Sequence, residues 1–327
     1  MNSIQNLAQG CLLGALVGDA AGSRLEFLGR IPTQADVGEA LVMKGGGVFG
    51  LAPGQITDDG EMTLSLARAL VGSTVFPREK VATNYRAWVA SNPFDMGQAT
   101  SAALGGPIED GDFIADSVSR RAAMYNMGSK ANGALMRSSA LGIWSTGVSQ
   151  EDAVKAACDD ARLTHPNPSC LWACAAYVVA IRHLLLHLND TEGAFEQARW
   201  ALALAPRDDS EEVHGWLEDA AIGTLPDGQH SMGFVRIAFI HAFHHMRLGT
   251  PYIDALQSVL GYGGDTDTNA CIVGGLVGAR IGITGIPPNM IDAVLRCDTK
   301  KGRPRPAWLS TQDALELTQG LLNEEVH

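Results

Sequence analysis

The chain has 327 residues, of which 46% are hydrophobic and 18% charged, so it can bury a large core. Its formal net charge of −12 argues against nonspecific binding to nucleic acid, and no apolar run reaches membrane-spanning length, the longest being Leu171 to Ile181. Without a signal peptide at Met1–Asn6 or a CxxC pair among the six cysteines, we expect a cytoplasmic protein with buried, reduced thiols.

Apolar residues recur at helical spacing along most of the chain. In the first predicted helix, residues 3–21, glycine falls at every fourth position, which predicts a smooth face for close packing of another helix. Residues 29–55 are rich in glycine and predict a loop. Residues 105–118 form a polar, glycine-containing segment between predicted helices. A helix should open at Thr100, and further helices are predicted at 60–72, 78–90, 151–163, 169–187, 192–204, 210–221, 234–248, 270–283, 288–295 and 310–323.

Strand-like alternation is scarce, so the pattern predicts one all-α domain over residues 1–327, with long functional loops. Ser169 is the expected cap of the helix that follows it. The basic loop Lys300–Arg305 is expected to be solvated.

Two acidic stretches, ITDDGEMT at 56–63 and GGDTDT at 263–268, precede apolar helical patterns. Each alone is typical of a helix cap. Two in one chain instead favour a shared site for a hard divalent cation, because adjacent carboxylates repel one another unless positive charge lies between them. The oxygen-bearing residues there are Thr57, Asp58 and Asp59 in the first stretch, and in the second Asp265 and Asp267, flanked by Thr266 and Thr268.

Two further acids could join this site. Glu26 follows the first helix, with Asp19 nearby, and is either a surface glutamate or a catalytic or metal-linked carboxylate. Asp95 precedes Gly97 and the helix opening at Thr100, where it is either a cap or a functional acid.

A loop and a lone histidine are candidates for ligand contact. Around Asn132 and Gly133, backbone N–H groups could meet a phosphate at a helix start. His165 lies on a break between helices and is either a structural histidine or a ligand contact. No P-loop and no GxSxG motif is present, so neither chemistry is indicated.

Six segments of the chain, given at the end of this paragraph in chain order, together resemble the ADP-ribosylglycohydrolase family, in particular its dinitrogenase-reductase-activating glycohydrolase type. The resemblance spans residues 8 to about 285, and the TDD and GDTDT elements together are its specific part. The segments are GCLLGALVGDAAGSRLEF, ITDDGEMTLSLARAL, FDMGQAT, NGALMR, LTHPNPSC and GGDTDTNACIVGGLVGA.

The resemblance implies a compact all-α orthogonal bundle with two divalent cations, Mg²⁺ or Mn²⁺. It implies that the ligands are Thr57, Asp58 and Asp59 for one ion and Asp265, Asp267 and Thr268 for the other, with Asp267 shared between them. It implies that the residues closest to the chemistry are Glu26, Asp59, Asp95 and Asp267. It implies that the residues contacting ADP-ribose or the leaving group are Asp95, Gly97, Thr100, Asn132, Gly133 and His165.

The activity implied is hydrolysis of the N-glycosidic bond between ADP-ribose and an arginine of an acceptor protein, with no nucleic-acid partner. Two alternatives remain open. One is an enzyme of this fold acting on another linkage, such as serine-linked or O-acetyl-ADP-ribose. The other is a non-catalytic ADP-ribose-binding or immunity protein.

Overall fold

The computed structural model describes residues 3–108 and 111–322. These residues form an all-α single domain, as the sequence predicts; they contain two isolated bridges and no β-strand. The helices in chain order are α1 (Ile4–Gly22), α2 (Gln34–Leu41), α3 (Asp58–Leu70), α4 (Arg78–Ala90), α5 (Gln98–Leu104), α6 (Ile114–Tyr125), α7 (Ser139–Trp144), α8 (Gln150–Arg162), α9 (Pro168–Leu186), α10 (Thr191–Ala203), α11 (Arg207–Ile222), α12 (Val235–Arg247), α13 (Tyr252–Gly261), α14 (Thr266–Ile281), α15 (Pro288–Leu295) and α16 (Ala314–Leu321).

Helices α1 and α14 run antiparallel in close contact at the centre of the fold. A Cβ atom at Gly14 would lie 2.3 Å from the carbonyl oxygen of Gly274, and one at Gly274 would lie 2.2 Å from that of Gly14. The predicted glycine face of α1 is therefore confirmed. Because the helices are antiparallel, the C-terminal end of α1 meets the N-terminal end of α14, where Thr266 Oγ1 donates a 2.8 Å hydrogen bond to the Gly22 carbonyl.

The apolar helix α9 is long and apolar enough, by length and composition alone, to cross a membrane. Of its most apolar stretch, 78% is buried inside the protein, where α9 contacts α8, α10 and α14. Its position is that of a core helix packed on the α1–α14 pair. The six cysteines are free and buried, as expected.

Several predicted boundaries were wrong. The expected loop 29–55 contains α2, whose eight residues are too few to give a long period but which is capped by a reciprocal Thr33–Asp36 capping box. Helix α6 begins at Ile114, inside the polar segment 105–118 that was expected to lie between helices. Asn167, not Ser169, caps α9, because the Asn167 side chain accepts a hydrogen bond from the Ser169 N–H.

Candidate functional site

Carboxylates that are distant in the sequence converge where α1, α3 and α14 meet. One oxygen from each of Asp19, Asp59 and Asp267 lies within 4.8 Å of the other two, and all three residues are buried. Glu26, Asp95 and Asp267 form a second group by the same criterion. Asp267 belongs to both groups, so these five residues make up one acidic cluster.

The capping interpretation of the acidic stretches is contradicted for the residues that begin the helices. Neither Thr57 nor Asp265 makes a side-chain capping hydrogen bond. The N-terminus of α3 is capped by Asp19, whose carboxylate accepts hydrogen bonds from the N–H groups of Thr57 at 3.0 Å and Gly60 at 2.8 Å. Asp95 is not a cap either, because Gly97 is the N-cap residue of α5.

The Thr57 hydroxyl lies among three carboxylates of the acidic cluster. Its oxygen lies 2.8 Å from Asp19 Oδ1, 3.1 Å from Asp59 Oδ2 and 3.4 Å from Asp267 Oδ2. A hydroxyl carries one proton and can donate to only one of these carboxylates. Two buried oxygens, Asp59 Oδ1 and Glu26 Oε2, have no hydrogen-bond partner at all. A cation would satisfy these oxygens.

Burial without a counter-charge also raises the pKa values of the cluster. Burial raises the pKa of Asp19 to about 7, and burial together with the charge of Asp95 raises that of Glu26 to about 8. The pKa values of Asp59 and Asp267 lie well above the ordinary value, first through burial and then through neighbouring carboxylates. A donor set made only of carboxylate and hydroxyl oxygens fits a hard divalent cation, which would reverse these shifts.

Three members of the acidic cluster, Glu26, Asp95 and Asp267, form the floor of a cleft of about 390 Å³, a size suited to a small-molecule ligand. The other two, Asp19 and Asp59, are fully buried and do not line the cleft. The predicted site residues that line the cleft are Glu26, Asp58, Asp95, Gly97, Thr100, Asn132, Gly133, His165, Asp265, Asp267 and Thr268. The remaining two, Thr57 and Asp59, are fully buried next to it. All predicted site residues are thus brought together.

The loop before α7 forms one wall of the cleft. Asn132 Nδ2 donates a 2.8 Å hydrogen bond to Asp265 Oδ2, which ties this loop to the start of α14. A Cβ atom at Gly133 would lie 2.8 Å from Cε1 of His165, so only glycine lets the ring lie against the loop. The expected helix start at Asn132 is wrong, because α7 begins at Ser139.

His165 is held neutral inside the wall of the cleft. It is 1% exposed, and burial together with the positive charge of Arg137 lowers its pKa to about 3. Its Nδ1 lies 2.7 Å from Thr164 Oγ1. A neutral imidazole in this position can contact a ligand with its ring face or its second nitrogen.

Sequence reasoning missed the structural role of Asp19, which it named only as a neighbour of Glu26. The available signal was an ionisable residue inside a helix of otherwise apolar and small residues, since a buried carboxylate is rarely left without a function. It also missed cleft residues without distinctive chemistry, which are Phe27, Met96, Gln98, Ala99, Ala131, Met136, Met232 and Gly233.

Fold and site together are those of an all-α protein with a cluster of buried carboxylates at a cleft suited to a small-molecule ligand. The ADP-ribosylglycohydrolase family model matches residues 1–325, so the chain belongs to this family, whose members hydrolyse ADP-ribosyl linkages. A solved structure described as an ADP-ribosylglycohydrolase-related protein complex is similar to it with a TM-score of 0.72 and 25% identity, covering 98% of this chain and 99% of that one.

Two relatives with named activities are similar over most of their length. ADP-ribosyl-[dinitrogen reductase] glycohydrolase of Rhodospirillum rubrum is 29% identical over 287 residues, which cover 87% of this chain and 89% of the relative. ADP-ribosylarginine hydrolase Tri1 of Pseudomonas putida is 29% identical over 297 residues, covering 88% and 74%. The identity is the same to both, so the comparisons establish the family and not the type.

Proposed function

We propose that the protein is a metal-dependent hydrolase that removes ADP-ribose from ADP-ribosylated proteins by cleaving the N-glycosidic bond to arginine. The observation that carries this proposal is the convergence of five carboxylates at one place: Glu26, Asp95 and Asp267 line the cleft, and the buried Asp19 and Asp59 lie within 4.8 Å of Asp267. The six buried, free cysteines support a cytoplasmic setting for this activity.

The metal site would hold two divalent cations, Mg²⁺ or Mn²⁺. The ligands would be Thr57, Asp58 and Asp59 for one ion and Asp265, Asp267 and Thr268 for the other, with Asp267 shared. When bound, the cations would supply Lewis acidity toward the ribose hydroxyls and the attacking water. The unpartnered buried Asp59 oxygen and the single proton of the Thr57 hydroxyl support this ligand set.

Two carboxyl groups at the open side of the acidic cluster would handle protons. Glu26 would take the proton of the water that attacks C1 of the ribose. The bound cations would lower its raised pKa and so keep Glu26 in the ionised form that a general base requires. Asp95 is raised in pKa by burial and by the charge of Asp265. It would orient the departing guanidine group and keep it protonated.

The remaining cleft residues would bind and orient the substrate. Asn132, Gly133 and His165 would contact ADP-ribose, and Gly97 and Thr100 would contact the sugar beside Asp95. Holding the sugar over the floor of the cleft places its C1 atom near the proton-handling carboxyls, and such positioning is itself a large part of catalysis.

Charge favours arginine over other acceptors. The guanidinium group is always charged in proteins, and the cleft presents Glu26 and Asp95 to it. Serine-linked or O-acetyl-linked ADP-ribose brings no positive charge to this position. The Pseudomonas putida relative named ADP-ribosylarginine hydrolase supports the same linkage.

The test compares defined substrates with and without metal. Purified protein in Mn²⁺, Mg²⁺ or chelator is given ADP-ribosyl-arginine, a serine-linked ADP-ribosyl peptide or O-acetyl-ADP-ribose, and released ADP-ribose is measured by chromatography. We expect turnover of the arginine substrate only, and only with metal. Faster release from serine would contradict the linkage, near-full activity in chelator would contradict metal dependence, and ADP-ribose binding without any turnover would indicate a binding protein.

Variants locate the activity in the acidic cluster. Asp59→Ala and Asp267→Ala should lower kcat/KM by about 100-fold or more, since a metal supplies several kcal/mol of transition-state stabilisation. Both should retain the helical circular dichroism of the unmodified protein. Asp208→Ala is the matched control, because Asp208 is an exposed acid in the first turn of another helix, α11.

A further inference from the structure

A buried guanidinium group connects α3 with the segment that carries Asp95. The side chain of Arg305 is 5% exposed and that of Glu61, on α3, is 3% exposed. They form a bidentate ion pair, with Nε 2.7 Å from Oε1 and Nη2 2.9 Å from Oε2. Trp88 Nε1 donates a further 2.7 Å hydrogen bond to Glu61 Oε2. The basic loop Lys300–Arg305 is therefore not simply solvated, which corrects the expectation from the sequence.

The other N–H groups of Arg305 bind the end of α4. Nη1 donates to the carbonyl oxygens of Ser91 and Asn92, at 3.0 and 3.1 Å, and Nη2 donates to Ser91 Oγ at 2.7 Å. All five N–H donors of the guanidinium thus have acceptors. A cation is well placed there, because the last carbonyls of a helix lack intrahelical partners and carry partial negative charge.

The segment that Arg305 binds, at Ser91 and Asn92, leads directly to Asp95. Asn92 has a φ of +55°, in the left-handed region, so the chain turns sharply at the residue whose carbonyl Arg305 binds. The next residues carry Asp95 into the cleft. The guanidinium of Arg303 also lies over the ring of Phe94, 5.9 Å from its centroid. The same C-terminal loop therefore contacts this segment at two points.

We propose that Arg305 is a positioning residue for the hydrolysis, which sets the Asp95 carboxyl relative to the carboxylates of α3 by holding residues 91–97 against Glu61. The inference rests on the proposed function, from which Asp95 takes its role. Asp58 and Asp59 lie within one turn of Glu61 on the same helix. The planar guanidinium of Arg305 thus connects α3 with the segment that carries Asp95, although Arg305 itself does not line the cleft.

Arg305→Lys is the informative variant because it keeps the charge. A lysine ammonium has three donors on one nitrogen and cannot satisfy five acceptors in a plane. The matched control is Arg68→Lys. Arg68 also lies on α3 and also binds the C-terminal segment, through Asp313 at 2.8 Å and the Ser310 carbonyl at 3.2 Å, but its bonds do not reach residues 91–97.

Kinetics separate positioning from stability. We expect Arg305→Lys to lower kcat for ADP-ribosyl-arginine by about 10- to 100-fold with KM changed by about twofold or less, as a misplaced catalytic group would. Arg68→Lys should keep the kcat of the unmodified protein even if both variants lose similar thermal stability. Combining Arg305→Lys with Asp95→Asn should lower kcat no further than Asp95→Asn alone, within about twofold, because both act on one group.

Hydrogen exchange tests the positioning without reference to turnover. Amides of residues 91–97 should exchange faster in Arg305→Lys than in the unmodified protein. The amides of α3 in Arg305→Lys, and those of residues 91–97 in Arg68→Lys, should exchange at the rate of the unmodified protein. An unchanged kcat, a fully multiplicative double variant or unchanged exchange in 91–97 would overturn the inference. If the unmodified protein hydrolyses none of the substrates, the proposed function fails, and the exchange rates alone decide whether Arg305 holds the segment.

Discussion

The N–H group of Thr57 donates to both carboxylate oxygens of Asp19, each at 3.0 Å, and the Thr57 hydroxyl donates to the same carboxylate at 2.8 Å. An acid on α1 thereby fixes where α3 begins. Because the residues that start α3 are freed from capping, their oxygen atoms can face the acidic cluster. This relationship connects packing of the central helices with the chemistry of the site.

Asp19→Asn should weaken metal binding. An amide offers one acceptor oxygen where the carboxylate offers two, so the N–H groups of Thr57 and Gly60 cannot both be satisfied as before. Loss of such a supporting group typically costs about 10- to 100-fold in metal affinity. Calorimetric titration of Mn²⁺ into chelator-treated protein measures this change.

The control for that titration is Asp190→Asn. Asp190 also caps a helix, α10, by accepting a hydrogen bond from the Gly193 N–H, but its side chain is 48% exposed and lies outside the acidic cluster. We expect its Mn²⁺ affinity to match that of the unmodified protein. Equal affinities for both variants would show that Asp19 does not support the metal site.

Metal-free protein should lose stability as pH rises from about 6.5 to about 8. Asp19 and Glu26 have folded-state pKa values of about 7 and about 8, above their ordinary values of 3.8 and 4.5. In this window the folded state therefore binds more protons than the unfolded state, so the free energy of unfolding falls as pH rises. Urea denaturation in chelator, at several pH values, measures the slope.

The window is chosen so that other groups do not mask the slope. Burial lowers the pKa values of His165, His241 and His245 below the ordinary 6.5, which stabilises the folded state as pH rises, but only up to about that pH. With Mn²⁺ present, cations replace protons and the decline should disappear. A metal-free stability that rises through this window would contradict the account of the acidic cluster.

Close packing of another helix against α1 could be predicted from sequence, because glycine recurs every fourth residue and leaves one helix face without side chains; the structure identified that helix as α14. The two acidic stretches could also be recognised from sequence as a candidate metal site, since they combine carboxylates and hydroxyls directly before apolar helices. The family resemblance then supplied residues such as Asn132 and His165, whose types alone left their roles open.

Contacts that depend on tertiary placement could not be predicted in this way. Asp19 and Thr57 are 38 positions apart, and Arg305 and Glu61 are 244 apart. Nothing near Arg305 in the sequence distinguishes it from the exposed basic residues around it. Helix α2 escaped notice for a local reason, because eight residues give barely two turns of periodic pattern.

Gly18→Ala should destabilise the protein even though alanine favours helices. A Cβ atom at Gly18 would lie 2.1 Å from the carbonyl oxygen of Ala270, a backbone atom of α14 that cannot move alone. Overpacking of this kind costs about 1–3 kcal/mol, which exceeds the gain of about 1 kcal/mol in helix propensity. Urea denaturation should show a lower midpoint, and activity should fall because Asp19 follows Gly18.

Gly38→Ala, in contrast to Gly18→Ala, should not destabilise the protein. Gly38 lies in α2, and apart from its chain neighbours and the backbone of its own helix no atom lies within 4 Å of where its Cβ would be. The same substitution should therefore stabilise the protein slightly, by up to about 1 kcal/mol. If both alanine variants changed stability in the same direction, close approach of α1 and α14 would not be what requires glycine.

Asp95→Asn should separate binding from bond cleavage. Asparagine has nearly the same shape, so the cleft and its affinity for ADP-ribose should be preserved. It cannot exchange a proton with the departing guanidine group, and such proton transfer typically contributes about 10²- to 10⁴-fold to rate. We therefore expect kcat for ADP-ribosyl-arginine to fall by at least about 100-fold with ADP-ribose affinity little changed. Single-turnover kinetics and calorimetry measure the two quantities.

Asp254→Asn serves as the control for this comparison, since Asp254 is an exposed acid in the first turn of α13 and does not line the cleft. Its kcat should equal that of the unmodified protein. Unimpaired cleavage by Asp95→Asn would remove Asp95 from the chemistry. If instead ADP-ribose affinity and kcat/KM fell in parallel while kcat stayed unchanged, Asp95 would be assigned to substrate binding. A group that contacts the bound substrate and the transition state equally strongly affects binding and not kcat.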